Sequence, residues 1–111
     1  MTYVTGAAIL AHANVSNPSA ADTAWADTCA LAVEALISHR MAGVTVDPGS
    51  DAERELVRAA LQDGAAAYTD RKAPHGYLFS SDATGTTVRL GRDIARALEP
   101  VFTRYAGYGI A

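Results

Sequence analysis

One apolar stripe with helical spacing limits most strongly what this chain can fold into. It has six members, at Trp25, Cys29, Ala32, Val33, Leu36 and Ile37. This spacing follows a period of about 3.6 residues, so one side of a single helix holds all six side chains. Asn17-Pro18-Ser19 marks a turn before the stripe, either Ser19 or Asp22 can cap the helix, and Gly43 follows it. We predict a long helix over about residues 20–41.

A second long helix is predicted from residue 50 to the stop at Ala73-Pro74. It begins with Ser50-Asp51-Ala52-Glu53, which has the spacing of a capping box. Asp63 is expected to lie mostly away from the apolar face, and Gly64 on that face indicates close approach of another helix. The predicted apolar face consists of Leu56, Val57, Ala60, Leu61, Gly64, Ala67 and Tyr68.

Two shorter helices complete the helical prediction. One spans about residues 5–12, with Asn14 as its C-terminal stop. The other spans about residues 92–105 and contains Pro100, which lacks a backbone donor. A kink or restart is therefore expected at Pro100, with Glu99 capping the second piece.

Extended segments connect and follow these helices. Residues 43–49 alternate apolar and polar side chains, which favours an extended linker with a short edge strand. Residues 76–91 alternate in the same way on both sides of turn-forming residues, which predicts a hairpin arm. Residues 106–111 form a glycine-containing tail. The predicted fold is mainly α: one domain over residues 1–111, a small four-helix bundle with a β-hairpin or loop protruding between the third and fourth helices and an extended C-terminal tail.

Composition excludes several classes of protein. The chain has 111 residues, of which half are hydrophobic, and its net charge is −3, so it lacks the basic excess of a free-standing nucleic-acid binder. A single cysteine, Cys29, allows no intrachain disulfide. The sequence also shows no secretory leader and no apolar run of about 20 residues. These features predict a protein made in the cytoplasm, with no membrane partner.

The sequence holds no recognisable catalytic or metal-binding pattern. His12, His39 and His75 lie in separate segments without ligand spacing, and they are expected on the surface or at helix ends. Cys29 lies on an apolar stripe and is expected to be a buried small hydrophobe. Glu53 and Glu55 are expected to face solvent. We therefore predict no enzymatic activity, no metal and no cofactor.

Side chains on the arm and tail are the candidates for contact with other proteins. The tail residues Tyr108 and Ile110 cannot share the stripe of the last helix, and exposed apolar residues often mark interfaces. Four arginines cluster near the C-terminus, and two interpretations stay open for them. They either are solvated and interact with the dipole of the last helix, or they contact an acidic partner or passing DNA. These are Arg89, Arg92, Arg96 and Arg104. The arm candidates are Tyr77, Phe79, Val88, Arg89 and Arg92, and the tail candidates are Arg104, Tyr105, Tyr108 and Ile110.

With these elements in order, the chain resembles the head-to-tail adaptor (connector) proteins of long-tailed bacteriophages, in particular those of actinobacterial phages. The resemblance covers nearly the whole chain. Its most specific parts are Val88-Arg89-Leu90-Gly91-Arg92-Asp93 and the run from Ala97 to Tyr105, followed by the Gly-Ile-Ala end. The long helix over residues 22–40 and the pattern from Leu56 to Arg71 also fit.

The resemblance implies a structural role in the virion. Family members form a dodecameric ring below the portal protein of the head, which continues the DNA channel and offers a platform to stopper or tail-terminator proteins. Genomic DNA would pass through without sequence-specific binding. By this resemblance the arm contacts neighbouring subunits or the channel, and the tail contacts the portal or a neighbour. The main alternative is a small helical DNA-binding or regulatory protein, although the linker between the two long helices is too long for a helix-turn-helix pair.

Overall fold

The computed structural model describes residues 2–70 and 96–107. This part of the chain is mainly helical, contains no strand and has four helices: α1 (Gly6–His12), α2 (Ala20–Arg40), α3 (Asp51–Thr69) and α4 (Leu98–Ala106). The predicted arm at 76–91 and residues 108–111 of the predicted tail lie outside the described residues. The predicted edge strand in the linker at 43–49 is wrong, because this segment forms turns and irregular backbone whose valines pack half-buried against the core.

Helices α1 and α2 begin and end close to where the sequence places them. Thr5 caps α1 by accepting a hydrogen bond from the Ala8 amide at 3.1 Å. Beyond its C-terminus Asn14 takes a left-handed backbone conformation (φ 60°), which asparagine tolerates better than most residues. Ser19 and Asp22 both cap α2, because each side chain accepts the backbone amide of the other in a full capping box.

The start of α3 differs in one detail from the predicted capping box. Ser50 accepts the Glu53 amide as expected, at 3.2 Å. The Glu53 carboxylate accepts the amide of Gly49 at 2.7 Å instead of that of Ser50. The glycine adopts a positive φ of 79°, which turns the chain just ahead of the helix. The acidic side chain therefore satisfies a donor one residue earlier than the motif predicts.

The core lies where α1, α2 and α3 meet, and α4 extends it along α3. Cys29 is fully buried, as its place on the stripe predicts. Gly64 also behaves as expected, since a Cβ at this position would lie only 2.8 Å from Cδ1 of the buried Ile9. Its missing side chain lets α1 and α3 approach closely. The largest fully buried side chains are Phe102, Ile9, Ile37, Leu56, Leu98, Val33 and Cys29.

Two residues of α3 lie on faces opposite to those predicted. Val57 is 40% exposed, whereas Asp63 is only 4% exposed. The buried face is rotated toward Ala59 and Asp63, on the side where Glu55 and Asp63 bond to residues of α4 and its start. The sequence pattern of α3 alone cannot predict on which side of this helix α4 packs.

Within the described residues, α4 begins at Leu98, which corrects the predicted role of Glu99. Ala97 occupies the cap position without a side-chain cap, and Glu99 lies inside the first turn. Pro100 also lies in that first turn, where a missing backbone donor leaves no intrahelical bond unmade. The backbone amides at the start of α4 donate instead to a side chain of α3.

Candidate interaction surfaces

The N-terminus of α4 is capped by the buried carboxylate of Asp63 on α3. Asp63 accepts the Ala97 amide at 2.9 and 3.0 Å through its two oxygens and the Leu98 amide at 2.8 Å. Unpaired amides at a helix start carry partial positive charge, so a carboxylate is well suited to this position. Asp63 thus fixes where α4 starts and which way it points.

Burial raises the pKa of Asp63 above its ordinary value of 3.8. Desolvation is the largest cause, and it outweighs the opposing effects of the Ala97 and Leu98 amides and of Arg96. Of the two described members of the predicted arginine cluster, Arg96 and Arg104, Arg96 is the one whose charge acts on Asp63. The hydrogen bonds from the Ala97 and Leu98 amides and the charge of Arg96 therefore compensate only part of the cost of burying this carboxylate.

A second contact joins the end of α2 to α4. One guanidinium nitrogen of Arg40 lies 2.6 and 2.7 Å from the two carboxylate oxygens of Glu99. The same guanidinium lies over the ring of Phe102, 4.7 Å from its centroid. Arg40 is largely covered, whereas Glu99 is about half exposed. The pair therefore orients α4 relative to the end of α2 but adds little to the free energy of unfolding, because Glu99 is partly solvated.

A third contact holds the two described residues of the predicted tail interface. Arg104 forms an ion pair with Glu55 on α3, and the Tyr105 hydroxyl donates to the other oxygen of the same carboxylate. Glu55 is therefore partly buried and paired, which corrects its expected solvent-facing position, whereas Arg104 is exposed. These internal bonds occupy both side chains within one subunit, and their role in contacting a portal or neighbour stays a prediction.

A groove between α1 and α2 carries an exposed leucine at its edge. The groove has a volume of about 530 Å³, and Leu31, one of its lining residues, is 71% exposed. Its charged lining residues are Asp27 and Glu34. Glu34 accepts the backbone amides of Tyr3 and Val4, the second at 2.7 Å, and so ties the chain ahead of α1 to α2. Burial, together with the charges of Glu34 and Glu53, raises the pKa of Tyr3.

The outer side of α3 carries Val57, an exposed large apolar residue, between two arginines. Arg54 donates to the Gly49 carbonyl at 2.9 Å and pairs with Asp51. Arg58 is exposed and forms no ion pair within residues 2–70 and 96–107. This surface is therefore apolar at its centre and has an arginine on each side, one of them paired with Asp51.

Most of the predicted contact residues cannot be compared with this geometry. Tyr77, Phe79, Val88, Arg89, Arg92, Tyr108 and Ile110 lie outside the described residues. Leu31 and Val57 were not among the predicted contacts. Leu31 falls outside the apolar stripe of α2, so its spacing alone could have marked it, whereas Val57 matched the apolar pattern of α3 and could not have been recognised.

The positions of the two described histidines and of Trp25 follow from the helices that carry them. His12 and His39 are exposed in the last turns of α1 and α2, as predicted for helix-end histidines. Trp25 packs half-buried against the core, and its indole nitrogen donates to the Tyr68 carbonyl at 3.1 Å. The described residues include no group of three or more side chains suited to hold a metal ion.

Comparisons with known proteins add no relative. The chain matches no protein-family model, no curated protein and no solved structure. Among the described helices, none has both the length and the apolar composition required to cross a bilayer.

Proposed function

We propose that this chain is a structural virion protein that joins the portal of a phage head to the tail or stopper. In this proposal, copies of the chain form a ring that continues the DNA channel, and the protein is made in the cytoplasm of the host bacterium. The observation that carries the proposal is the sequence pattern of the C-terminal third, which resembles head-to-tail adaptor proteins and includes a helix docked on a helical body.

The helical body supports this proposal through the order and length of its elements. A short helix, two long helices and a short final helix occur in the order that the resemblance implies. The finer features belong to the proposal as well. Residues 76–91 form a hairpin arm toward a neighbouring subunit or the channel, and the residues after α4 form a tail toward the portal.

The alternative DNA-binding or regulatory role has less support. Ten residues, 41–50, separate α2 from α3, whereas a helix-turn-helix joins its helices with three or four. The exposed face of α3 carries only two arginines, and Arg54 is already paired with Asp51, so this face lacks the row of positive charges that several phosphate contacts need.

The test is to add the purified protein to DNA-filled heads of the cognate phage and to image the particles by electron microscopy. The expected result is new ring density at the portal vertex. A chain that ends at Tyr105 and a chain lacking residues 81–86 should both lose this density, while His12→Ala, at an exposed helix end, is the matched control and should keep it.

Two outcomes would count against the proposal. Heads without added density would remove the adaptor function. If the same preparation then bound duplex DNA with an affinity that falls steeply as salt rises, the regulatory alternative would replace it. Full activity of both shortened chains would keep the adaptor function but remove the assigned roles of the arm and tail.

A further inference from the structure

Two exposed apolar side chains lie on different helices of the body, in surroundings of opposite charge. Leu31 on α2 is 71% exposed and Val57 on α3 is 40% exposed. Asp27 and Glu34 share the groove with Leu31, whereas Arg54 and Arg58 border Val57. We call these the acidic surface and the basic surface.

An uncharged row of residues continues from the acidic surface along the outer side of α2. A helix face turned to solvent is ordinarily rich in charged side chains. The outer side of α2 is instead uncharged along a row of exposed residues spaced three or four apart, the spacing at which helices pack on each other. Its members are Ala21, Ala24, Thr28, Leu31, Ala35 and Ser38. Small side chains around a single leucine allow another helix to approach closely.

The carboxylate that borders this row is held in place. Asp27 is exposed, yet it lies against the start of α1, where a Cβ on Gly6 would overlap its carboxylate. Glu34 lines the same groove and accepts the amides of Tyr3 and Val4. The negative charge of the acidic surface is therefore fixed in position and not carried on long mobile side chains.

The basic surface offers matching features on successive turns of α3. Val57 is flanked by Arg54 and Arg58, and Leu61 lies one turn further on, partly buried against the core. Arg54 is already engaged by Asp51 and by the Gly49 carbonyl. Arg58, by contrast, forms no ion pair with any residue that the structure describes, so we assign it the contact with a partner.

We propose that copies of this chain associate head to tail, with the acidic surface of one copy against the basic surface of the next. Two acidic surfaces facing each other would bring carboxylates together, and two basic surfaces would bring arginines together, so charge disfavours both symmetric pairings. Pairing unlike surfaces instead places Leu31 against Val57 and Asp27 near Arg58. Each copy keeps one unused surface, so the contact can repeat and close into a ring.

This inference rests on the proposed ring and deepens it by assigning the contact between subunits to α2 and α3. It places the subunit contact on the helical body, which differs from the arm contacts that the sequence analysis predicts. Both kinds of contact can exist in one ring, but only the body contact requires the charge pairing of Asp27 with Arg58.

Cysteine cross-linking of the full-length protein tests the geometry. Leu31→Cys and Val57→Cys proteins are prepared separately, while the native Cys29 is buried and protected. After mild oxidation, the mixture should give a disulfide-linked heterodimer that neither protein forms alone. Linked pairs within the L31C sample alone would show a symmetric contact and overturn the proposal, and so would absence of any linked pair in the mixture.

A charge exchange tests the partner assignment. Asp27→Lys and Arg58→Glu should each weaken self-association about tenfold or more, measured by sedimentation velocity at low salt. The double variant should recover most of this loss, because the two charges have only exchanged places. Failure of the double variant to recover, with an unchanged circular dichroism spectrum, would overturn the proposal. Asp47→Lys, on the exposed linker, controls for a change of net charge alone.

The same proteins separate this inference from the adaptor function. Ring density on phage heads without a Leu31–Val57 cross-link would keep the adaptor function and overturn the contact assigned here. A cross-link and charge recovery without density on heads would keep the contact and remove the adaptor function.

Discussion

Helices α1 and α4 are both short, yet they are held in different ways: α1 packs on α2 and α3, whereas α4 packs on α3 and is joined to α2 through Arg40. The contact of α1 is made mainly by the fully buried Ile9, which enters the space left by Gly64. The contact of α4 combines buried Leu98 and Phe102 with polar contacts from Asp63, Arg40 and Glu55. Apolar packing depends on shape, whereas these polar contacts also depend on direction, and the contact of Asp63 depends on pH as well.

The two helices also differ in how they begin. In both cases a carboxylate from another helix accepts hydrogen bonds from two backbone amides at or before the helix start. This carboxylate belongs to Glu34 for α1 and to Asp63 for α4. Helix α1 has its own cap in Thr5, whereas Ala97 gives α4 none. The start of α4 therefore depends on a tertiary contact, and the start of α1 is determined largely by its own sequence.

The largest expected effect is at the apolar contact. Replacement of Ile9 by alanine should lower the free energy of unfolding by about 3 kcal/mol, because it removes buried methyl groups and leaves a cavity beside Gly64. Urea unfolding monitored by circular dichroism measures this loss in the free energy of unfolding. Leu31→Ala, which removes a similar volume from an exposed position, should change the free energy of unfolding by no more than about 0.5 kcal/mol. Equal losses in the two variants would contradict this account of the α1 contact.

A smaller effect is expected at the polar contact. Asp63→Ala should lower the free energy of unfolding by about 2 kcal/mol, because two backbone amides at the start of α4 lose their acceptor. Hydrogen exchange should also become faster at the Ala97 and Leu98 amides. Asp47→Ala, on the exposed linker, is the control and should leave both measurements unchanged. Unaltered exchange in D63A would show that the carboxylate does not hold the helix start.

The smallest effect is the pH dependence that distinguishes the two contacts. Because the pKa of Asp63 is raised above 3.8, the folded protein binds this proton more tightly than the unfolded chain does. The stability gained in this way is full below the ordinary pKa and is lost as pH rises through the folded pKa. Asp63→Asn cannot titrate at this position, so it is the reference.

Paired urea unfolding curves at several pH values measure this effect. Between about pH 7 and about pH 4, acidification should shift the difference in free energy of unfolding in favour of the wild-type protein over D63N. An Ile9→Val variant, compared with wild type in the same way, should show a constant difference. A shift in favour of D63N on acidification would mean that the amides stabilise the charged carboxylate more than burial destabilises it.

Much of the helical architecture could be predicted because its signals are local. The stripe from Trp25 to Ile37, the Ser19 cap and the turn at Asn14 all depend on residues within a few positions of each other. The same reasoning failed at Glu99, whose carboxylate is bound by Arg40, 59 positions away in the sequence. It also failed at Glu55, which is paired with residues of α4.

The candidate surfaces were less accessible to sequence reasoning. Exposure of Leu31 follows from its place off the α2 stripe, but its groove also requires residues ahead of α1. Exposure of Val57 depends on which side of α3 the helix α4 covers. The groove and the exposure of Val57 each depend on two elements that are distant in the sequence. The hydrophobic period within one helix therefore cannot predict them.

The sequence by itself determined that this chain is mainly helical, where α1, α2 and α3 begin, that Cys29 is buried and that Gly64 marks a close helix approach. These properties follow from backbone capping and from the period of one helix, which neighbouring residues control. Only the tertiary structure decided that Asp63 is buried, that it caps α4, and that Val57 remains exposed. Burial of a side chain depends on what other elements cover it, and that is a property of the packed molecule.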